Sequence, residues 1–196
     1  MLTNFLSQIQ HGMDHVLSLS AYAHILFLIV LAVPYLFKDW KRIFFLTIIF
    51  LFGHSVSLAL ATYHVISVNN NWIAFLIPMT ILVIALYNVF TAGKKSQNEK
   101  RGMLFFATLF FGLIHGLGFV NTFESTINNS DNKVIALLEN ALGIEIGQLI
   151  VVFIILFIGF LCQTLFRLSK RDWVMVISAI VLGLVIPLLI HNNIFA

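Results

Sequence analysis

Apolar stretches long enough to cross a lipid bilayer occupy most of this sequence, and short basic clusters separate them. The chain is 60% hydrophobic and only 10% charged, whereas a water-soluble protein of this size needs far more charge on its surface. A membrane-spanning helix needs about 20 apolar residues. We therefore predict an all-α fold, a polytopic membrane helix bundle of about six transmembrane helices, in which residues 1–196 form a single integral membrane domain.

The predicted spans are bounded by basic clusters or by polar, turn-prone segments. They are His15–Phe37, Ile43–Val65, Trp72–Phe90, Met103–Phe119, Val134–Phe166 and Trp173–Ile190. The fifth is too long for one helix perpendicular to the membrane. We expect it to be either a tilted helix or a helix preceded by a surface turn that ends near Gly143.

Basic residues predict the orientation of these spans. Ten of the eleven Lys and Arg residues lie in the clusters Lys38–Arg42, Lys94–Arg101 and Arg167–Arg171, and cytoplasmic loops of membrane proteins are enriched in such residues. Placing all three clusters in the cytoplasm leaves both termini outside, in what we expect to be a bacterial inner membrane. The clusters also account for the net charge of +3 without a nucleic-acid partner. The lone Cys162 excludes a disulfide framework.

Ionisable residues within the apolar stretches are the candidate functional groups. Each costs about 2.5–3.5 kcal/mol inside a membrane, so such residues usually serve a function. Imidazole and carboxylate groups suit Ni, Co, Zn or Fe. We predict one metal site in the outer half of the bundle, with Ser55, Ser57 and Gln148 beside it to support the ligands. The predicted ligands, from four helices, are His11, Asp14, His15, His54, His115 and Glu145.

Other polar residues have simpler interpretations. We expect His24 to form a hydrogen bond that holds a neighbouring helix, a common structural role in membrane bundles. His64 and His191 are expected at the outer boundary, as solvated helix ends. Gly112 and Gly116, four residues apart, are sufficient to let a neighbouring helix approach closely.

Four segments of the chain carry a resemblance to a known family. They are Gly12-Met-Asp-His15-Val-Leu, Phe52-Gly-His54-Ser55-Val-Ser57-Leu, Phe111-Gly-Leu-Ile-His115-Gly-Leu-Gly-Phe119 and Leu142-Gly-Ile-Glu145-Ile-Gly-Gln148-Leu. In this order, and across nearly the whole chain, they resemble the motifs of the HupE/UreJ family of membrane proteins, which is associated with nickel or cobalt uptake. The resemblance implies a permease-like fold of six or seven helices that handles Ni²⁺ or Co²⁺.

Three positions depart from the family pattern. Gln8 stands where the family usually has a histidine, with His11 one helical turn closer to His15. Ala74 and Ala141 stand where a glutamate and an asparagine are expected. The metal that the chain handles, and the affinity for it, can therefore differ from those of the family.

The leading functional interpretation is a permease for a divalent transition metal, with an entrance at His11, Asp14 and His15. The alternative is an intramembrane, zinc-type hydrolase or lipid-modifying enzyme, in which His15, His54 and His115 hold the metal and Glu145 is the general base. A second alternative is a structural metal that clamps the helices. In the permease, protonation of the histidines would expel the metal, which allows proton coupling.

Overall fold

The computed structural model describes residues 2–18, 22–67, 69–94, 101–127 and 132–194. All regular structure in these residues is helical, so the predicted all-α bundle is confirmed. A short 3-10 turn, Phe37–Asp39, precedes the third α-helix. The α-helices of the described residues are α1 (Leu2–Leu17), α2 (Tyr22–Ala32), α3 (Trp40–Thr62), α4 (Asn70–Thr91), α5 (Arg101–Ile127), α6 (Lys133–Leu165) and α7 (Lys170–His191).

The longer helices have the composition and surface of membrane spans. Within the described residues, five helices, α3 to α7, are long and apolar enough to cross a membrane. Large apolar side chains cover their outer faces, and Phe52, Phe90 and Phe106 are 63%, 69% and 69% exposed. An apolar surface of this kind is stable against lipid and not against water. The chain is an integral membrane protein with multiple spans.

Polar residues outside the apolar stretches begin three of these helices. The side chain of Asn69 accepts a hydrogen bond from the backbone N–H of Asn71 at the start of α4. Asn132 caps α6 in the same way, and Ser169 caps α7. Each cap satisfies a backbone donor that the helix itself leaves free. The polar segments that bounded the predicted spans therefore also fix where the helices start.

The first predicted span, His15–Phe37, is not one continuous helix. It is divided between α1, which ends at Leu17, and α2, which begins at Tyr22, and the two helices are bent by 71°. The partners of the two helices differ in part. Helix α1 lies mainly against α6, with Gly12 in contact with the backbone of Asn140, whereas α2 lies against both α4 and α6.

The contacts of α1 and α2 indicate that together they cross the membrane once. Along α1 and α6, Gly12 faces Asn140 and Val16 faces Gly147, so α1 runs parallel to the first half of α6. At the other end of the pair, the side-chain amide of Asn88 on α4 donates to the carbonyl of Val30 at 2.7 Å. Helix α4 leads into the basic segment at Lys94. The pair thus starts beside the first half of α6 and ends towards the basic loops, so that, counted as one broken span, it is the sixth candidate crossing among the described residues.

The long fifth apolar segment is a single helix. Helix α6 runs without interruption through Gly143 for 33 residues, a length of about 50 Å at the rise of an α-helix. Of the two possibilities left open by the sequence, the structure has the long helix and no turn at Gly143. Because about 30 Å is sufficient to cross the bilayer core, α6 tilts or extends beyond it.

Glycines bring α3 and α5 into direct backbone contact. A methyl group on Gly53 would collide with the carbonyl of Leu109, and one on Gly116 would collide with the carbonyl of His54. Gly112 lies equally close to the carbonyl of Phe50. Small residues at such positions allow membrane helices to pack closely. This contact holds α3 and α5 as a pair at the centre of the bundle.

Candidate metal centre

Three histidines from three helices come together in the middle of the bundle. His15 lies near the end of α1, His24 in the first turn of α2 and His54 past the middle of α3. One ring nitrogen from each lies within 4.8 Å of the other two. His24 and His54 are 5% and 0% exposed, and His15 is half-buried. The three residues are called the histidine triad below.

The ring nitrogens of the histidine triad lack hydrogen-bond partners. Nε2 of His15, Nε2 of His24 and both nitrogens of His54 are buried without a partner. Leaving a buried polar atom unpaired costs about 1–3 kcal/mol, and such atoms are rare in proteins. A metal ion would satisfy several of them at once. It would hold each nitrogen at about 2.1 Å, which requires the rings to approach one another by roughly an ångström. The histidine triad can hold a metal ion.

His115 on α5 lies directly beside the histidine triad. Its ring centre is 5.1 Å from that of His24, and the residue is fully buried. Nδ1 donates a hydrogen bond to the backbone carbonyl of Phe111 at 2.8 Å. This bond places the proton on Nδ1 and leaves the lone pair on Nε2, which is buried without a partner. A backbone carbonyl orients many metal-binding histidines in this way. His115 lies outside the group of three whose nitrogens come within 4.8 Å of one another, and its role as a ligand stays a prediction.

Phenylalanine rings surround the four imidazoles. The ring of Phe119 lies 3.6 Å from that of His15. Phe27 and Phe50 lie 4.9 and 5.3 Å from His115. These rings form an apolar wall that keeps water from the nitrogens. In such surroundings the attraction between an ion and its ligands is stronger than in water.

Glu145 lies outside the histidine triad and towards the basic loops. Its Oε1 accepts a hydrogen bond from the hydroxyl of Thr47 on α3 at 3.1 Å, and its Oε2 is buried without a partner. Thr47 precedes His54 by seven residues, or about 10 Å along the helix. The carboxylate of Glu145 therefore lies closer to the basic-loop end of the bundle than His54 does. The side-chain amide of Gln148, one turn later on α6, is also buried without a partner.

The two other predicted ligands lie on exposed parts of α1. His11 is exposed, and its Nε2 lies 3.3 Å from the hydroxyl of Thr126 on α5. Asp14 is also exposed. Neither belongs to the histidine triad, and their predicted role in binding metal stays a prediction.

The predicted supporting serines lie beside His54 on α3. The hydroxyl of Ser57 donates to the backbone carbonyl of His54 at 3.1 Å, so it braces the helix and not the imidazole. Ser55 is half-buried.

His24 was not among the ligands predicted from the sequence, where we interpreted it as a structural hydrogen-bonding residue. Nine residues separate it from His15, or two and a half turns of a continuous helix. On such a helix the two side chains point in opposite directions. The division between α1 and α2 turns His24 back towards His15, to a ring separation of 4.4 Å. The sequence does contain a signal, namely a second histidine in the same apolar stretch. That histidine can join His15 only because the helix is interrupted between them.

Comparison with known families identifies the chain. Residues 1–193 match the family described as HupE / UreJ protein. The chain belongs to the HupE/UreJ family. The HupE/UreJ family is a nickel/cobalt transport family. No protein of curated function and no solved structure is significantly similar to this HupE/UreJ protein.

Two of the three departures from the HupE/UreJ pattern, Gln8 and Ala141, lie on α1 and α6, which pack together, and the third, Ala74, lies on α4. Gln8 is 5% exposed, and its Oε1 has no partner. Asn140, beside Ala141, is also buried, and neither its amide oxygen nor its amide nitrogen has a partner. This HupE/UreJ protein thus keeps polar side chains in the interface, with amides at Gln8 and Asn140.

Proposed function

We propose that this protein is a permease whose substrate is a divalent transition metal, Ni²⁺ or Co²⁺. The observation that carries the proposal is the histidine triad, in which unpartnered nitrogens from three helices meet in an apolar environment. Neutral imidazoles bind these metals well, whereas Mg²⁺ and Ca²⁺ prefer oxygen ligands. The histidine triad would therefore select the ion.

The polar residues outline a route with three steps. His11 and Asp14, both exposed on α1, would receive the hydrated ion at the outer mouth. The histidine triad and His115 would replace its water. Glu145, placed towards the basic loops, would then offer a carboxylate that offsets the charge of the ion in a medium of low dielectric constant. Conduction requires that no step bind the ion too tightly to release it.

Direction follows from the basic loops. With these loops in the cytoplasm, the protein of a bacterial inner membrane would carry metal inwards, from the end where α1 begins to the end where α2 finishes. This orientation agrees with the uptake function of the family.

The enzyme alternative is less well supported by the surroundings of the site. A hydrolase must bring a lipid or peptide bond to a metal-bound water. His54 and His115 are fully buried, and the rings of Phe27, Phe50 and Phe119 lie against the imidazoles. These surroundings suit the passage of a bare ion and not the entry of a bulky substrate.

Uptake into proteoliposomes tests the proposal. We expect wild-type protein to carry Ni²⁺ or Co²⁺ inwards, and His24→Phe and His54→Phe to lower the rate at least tenfold. Phenylalanine keeps an aromatic ring and removes the unpartnered nitrogens, so these variants should remain folded. His191→Phe, at the exposed end of α7, is the control and should transport at the wild-type rate.

Elemental mass spectrometry of the purified protein separates the remaining possibilities. A permease should bind the metal reversibly and lose it on dialysis. Protein that keeps one metal ion through dialysis and carries none across the membrane would contradict the permease and support an enzyme or a structural clamp.

A further inference from the structure

A second site lies at the opposite end of the bundle from the outer mouth. A cavity of about 530 Å³ is enclosed by the basic-loop ends of α2, α3, α4, α5 and α7. Phe111 lines it, and the carbonyl of this residue accepts the hydrogen bond of His115. The cavity is thus on the other side of Phe111 from the histidines. None of the predicted metal ligands lines it.

The charged residues of this cavity are all positive. Arg42, Lys94, Lys170 and Arg171 line it, and no carboxylate does. Among the described residues, no ion pair joins these four side chains to a carboxylate. A cavity with this charge repels a metal cation and attracts an anion.

The nearby carboxylates are committed to the backbone and to helix caps. Asp39 accepts a hydrogen bond from the N–H of Leu36 at 3.1 Å. Asp172 accepts one from the hydroxyl of Ser169 at 2.6 Å, and that hydroxyl caps α7. Both aspartates keep their negative charge, but neither lines the cavity or forms an ion pair with its four basic residues in the described part of the chain, so the cavity lining stays net positive.

Two of the basic side chains are held in position by the fold. The guanidinium of Arg42 lies 5.4 Å from the centre of the Tyr35 ring, in a cation–π contact. The side chain of Arg171 lies against Gly93, where any Cβ would be only 3.0 Å from its Cδ. Gly93 also has φ +80°, a conformation that favours glycine. The turn after α4 is thus shaped to accommodate Arg171.

The rest of the cavity is apolar and reaches the surface of the bundle. Val30, Leu31 and Val174 form buried parts of the wall. Val83, on α4, also lines the cavity and is 49% exposed. A ligand that fits has an anionic group at one end and a hydrocarbon portion at the other. Phospholipids have this form, and basic pockets between helices on the cytoplasmic side bind anionic headgroups.

We propose that this cavity is a binding site for an anionic phospholipid of the cytoplasmic leaflet. The headgroup phosphate lies among Arg42, Lys94 and Arg171, and an acyl chain lies along the wall formed by α2, α4 and α5. The proposal is independent of metal transport, since it rests on the charge and shape of the cavity and on the predicted cytoplasmic side of the basic loops.

Lipid retention measured by native mass spectrometry tests this proposal. The protein is purified from nanodiscs that contain equal amounts of phosphatidylglycerol and phosphatidylcholine. We expect wild-type protein to keep phosphatidylglycerol in preference, and Arg42→Gln/Arg171→Gln to lower its retention at least tenfold. The matched control is Lys38→Gln/Lys41→Gln, which removes the same charge from residues that do not line the cavity and should retain the lipid.

A second variant tests the apolar wall without changing any charge. Ala107→Leu fills part of the cavity, and we expect it to lower phosphatidylglycerol retention as well, even if the arginine variant fails to fold. Equal retention of the two lipids would overturn the proposal. So would an equal loss in the lysine control, because binding would then be diffuse. Displacement of the lipid by inorganic phosphate alone would show a free-anion site and would also overturn it.

Discussion

His54 is the histidine of the triad whose burial costs the most hydrogen bonds. It is fully buried, and both of its ring nitrogens lack partners, which is an energetic cost that packing alone does not offset. The close contact of α3 with α5 at Gly116 fixes the backbone at this point. The position of His54 therefore depends on a glycine in another helix.

Replacing Gly116 should destabilise the bundle. In Gly116→Ala, the added methyl group would collide with the carbonyl of His54 and the hydroxyl of Ser57. We expect a loss of about 1–3 kcal/mol of stability, as for other overpacked sites, and weaker metal binding. Thermal unfolding in detergent measures the first effect. Gly183→Ala is the control, since a Cβ there meets nothing within 4 Å. Equal melting temperatures for the two variants would contradict the role given to this contact.

At the scale of single residues, the sequence predicts ligands at ionisable residues of different apolar spans that lie at similar depth in the outer half of the bundle. His15, His54 and His115 were predicted in this way, and the structure brings them to one region of the bundle. His24 was interpreted as a helix-holding residue because it stands alone in the first span, and on a continuous helix it would face away from His15. A pattern along one helix cannot predict a ligand whose direction depends on where that helix is interrupted.

Among the elements, α1 and α2 are the pair whose arrangement matters most to function. Each carries one residue of the histidine triad, and the two residues meet because the helices are bent by 71°. Broken spans often form the substrate sites of membrane transporters, because they place side chains and helix ends in the middle of the membrane. A metal ion bound by His15 and His24 should therefore hold α1 and α2 in a fixed relative position.

Loosening α1 should affect the site without unfolding the bundle. Gly143 on α6 lies against the backbone of Ile9, so Gly143→Leu would push α1 away and move His15. We expect faster hydrogen–deuterium exchange in α1, little change in α3 and α5, and metal affinity lowered at least tenfold. Exchange mass spectrometry measures the first two effects.

The control for this experiment is Gly183→Leu on α7, where space is open. Unchanged exchange in α1 of Gly143→Leu would mean that the glycine contact does not hold the helix.

Hydropathy predicted the long elements well and the broken one poorly. The predicted spans other than the first correspond to α3 to α7, because a stretch of about 20 apolar residues has few alternatives to a spanning helix. Hydropathy shows that a segment is apolar, but it does not show whether the segment forms one continuous helix. The interruption between Leu17 and Tyr22 accompanies a change in tertiary contacts, from α1 against α6 to α2 against both α4 and α6.

At the scale of the whole molecule, the direction of transport depends on how the protein is oriented in the membrane. The structure gives five candidate spans, or six when α1 and α2 count as one broken span, while the basic loops predict which end faces the cytoplasm. His64, after α3, and Lys170, at the start of α7, lie at opposite ends of the bundle and are both exposed.

Cysteine labelling in intact cells tests this orientation. In a Cys162→Ser background, we expect a membrane-impermeant maleimide to label His64→Cys from outside. Lys170→Cys should be labelled only after the membrane is permeabilised. Labelling of Lys170→Cys in intact cells would reverse the topology, and with it the proposed direction of the metal route.

The histidine triad is also early in the chain. Its three residues lie within the first 54 positions, whereas Phe119, which covers His15, comes 65 positions later. At a synthesis rate of about 5–20 residues per second, the ribosome needs roughly 3–13 s to make that intervening stretch. During those seconds the nascent chain already carries all three histidines but not Phe119, the ring that lies against His15. Metal encountered during membrane insertion therefore meets a more open site than metal encountered by the finished protein.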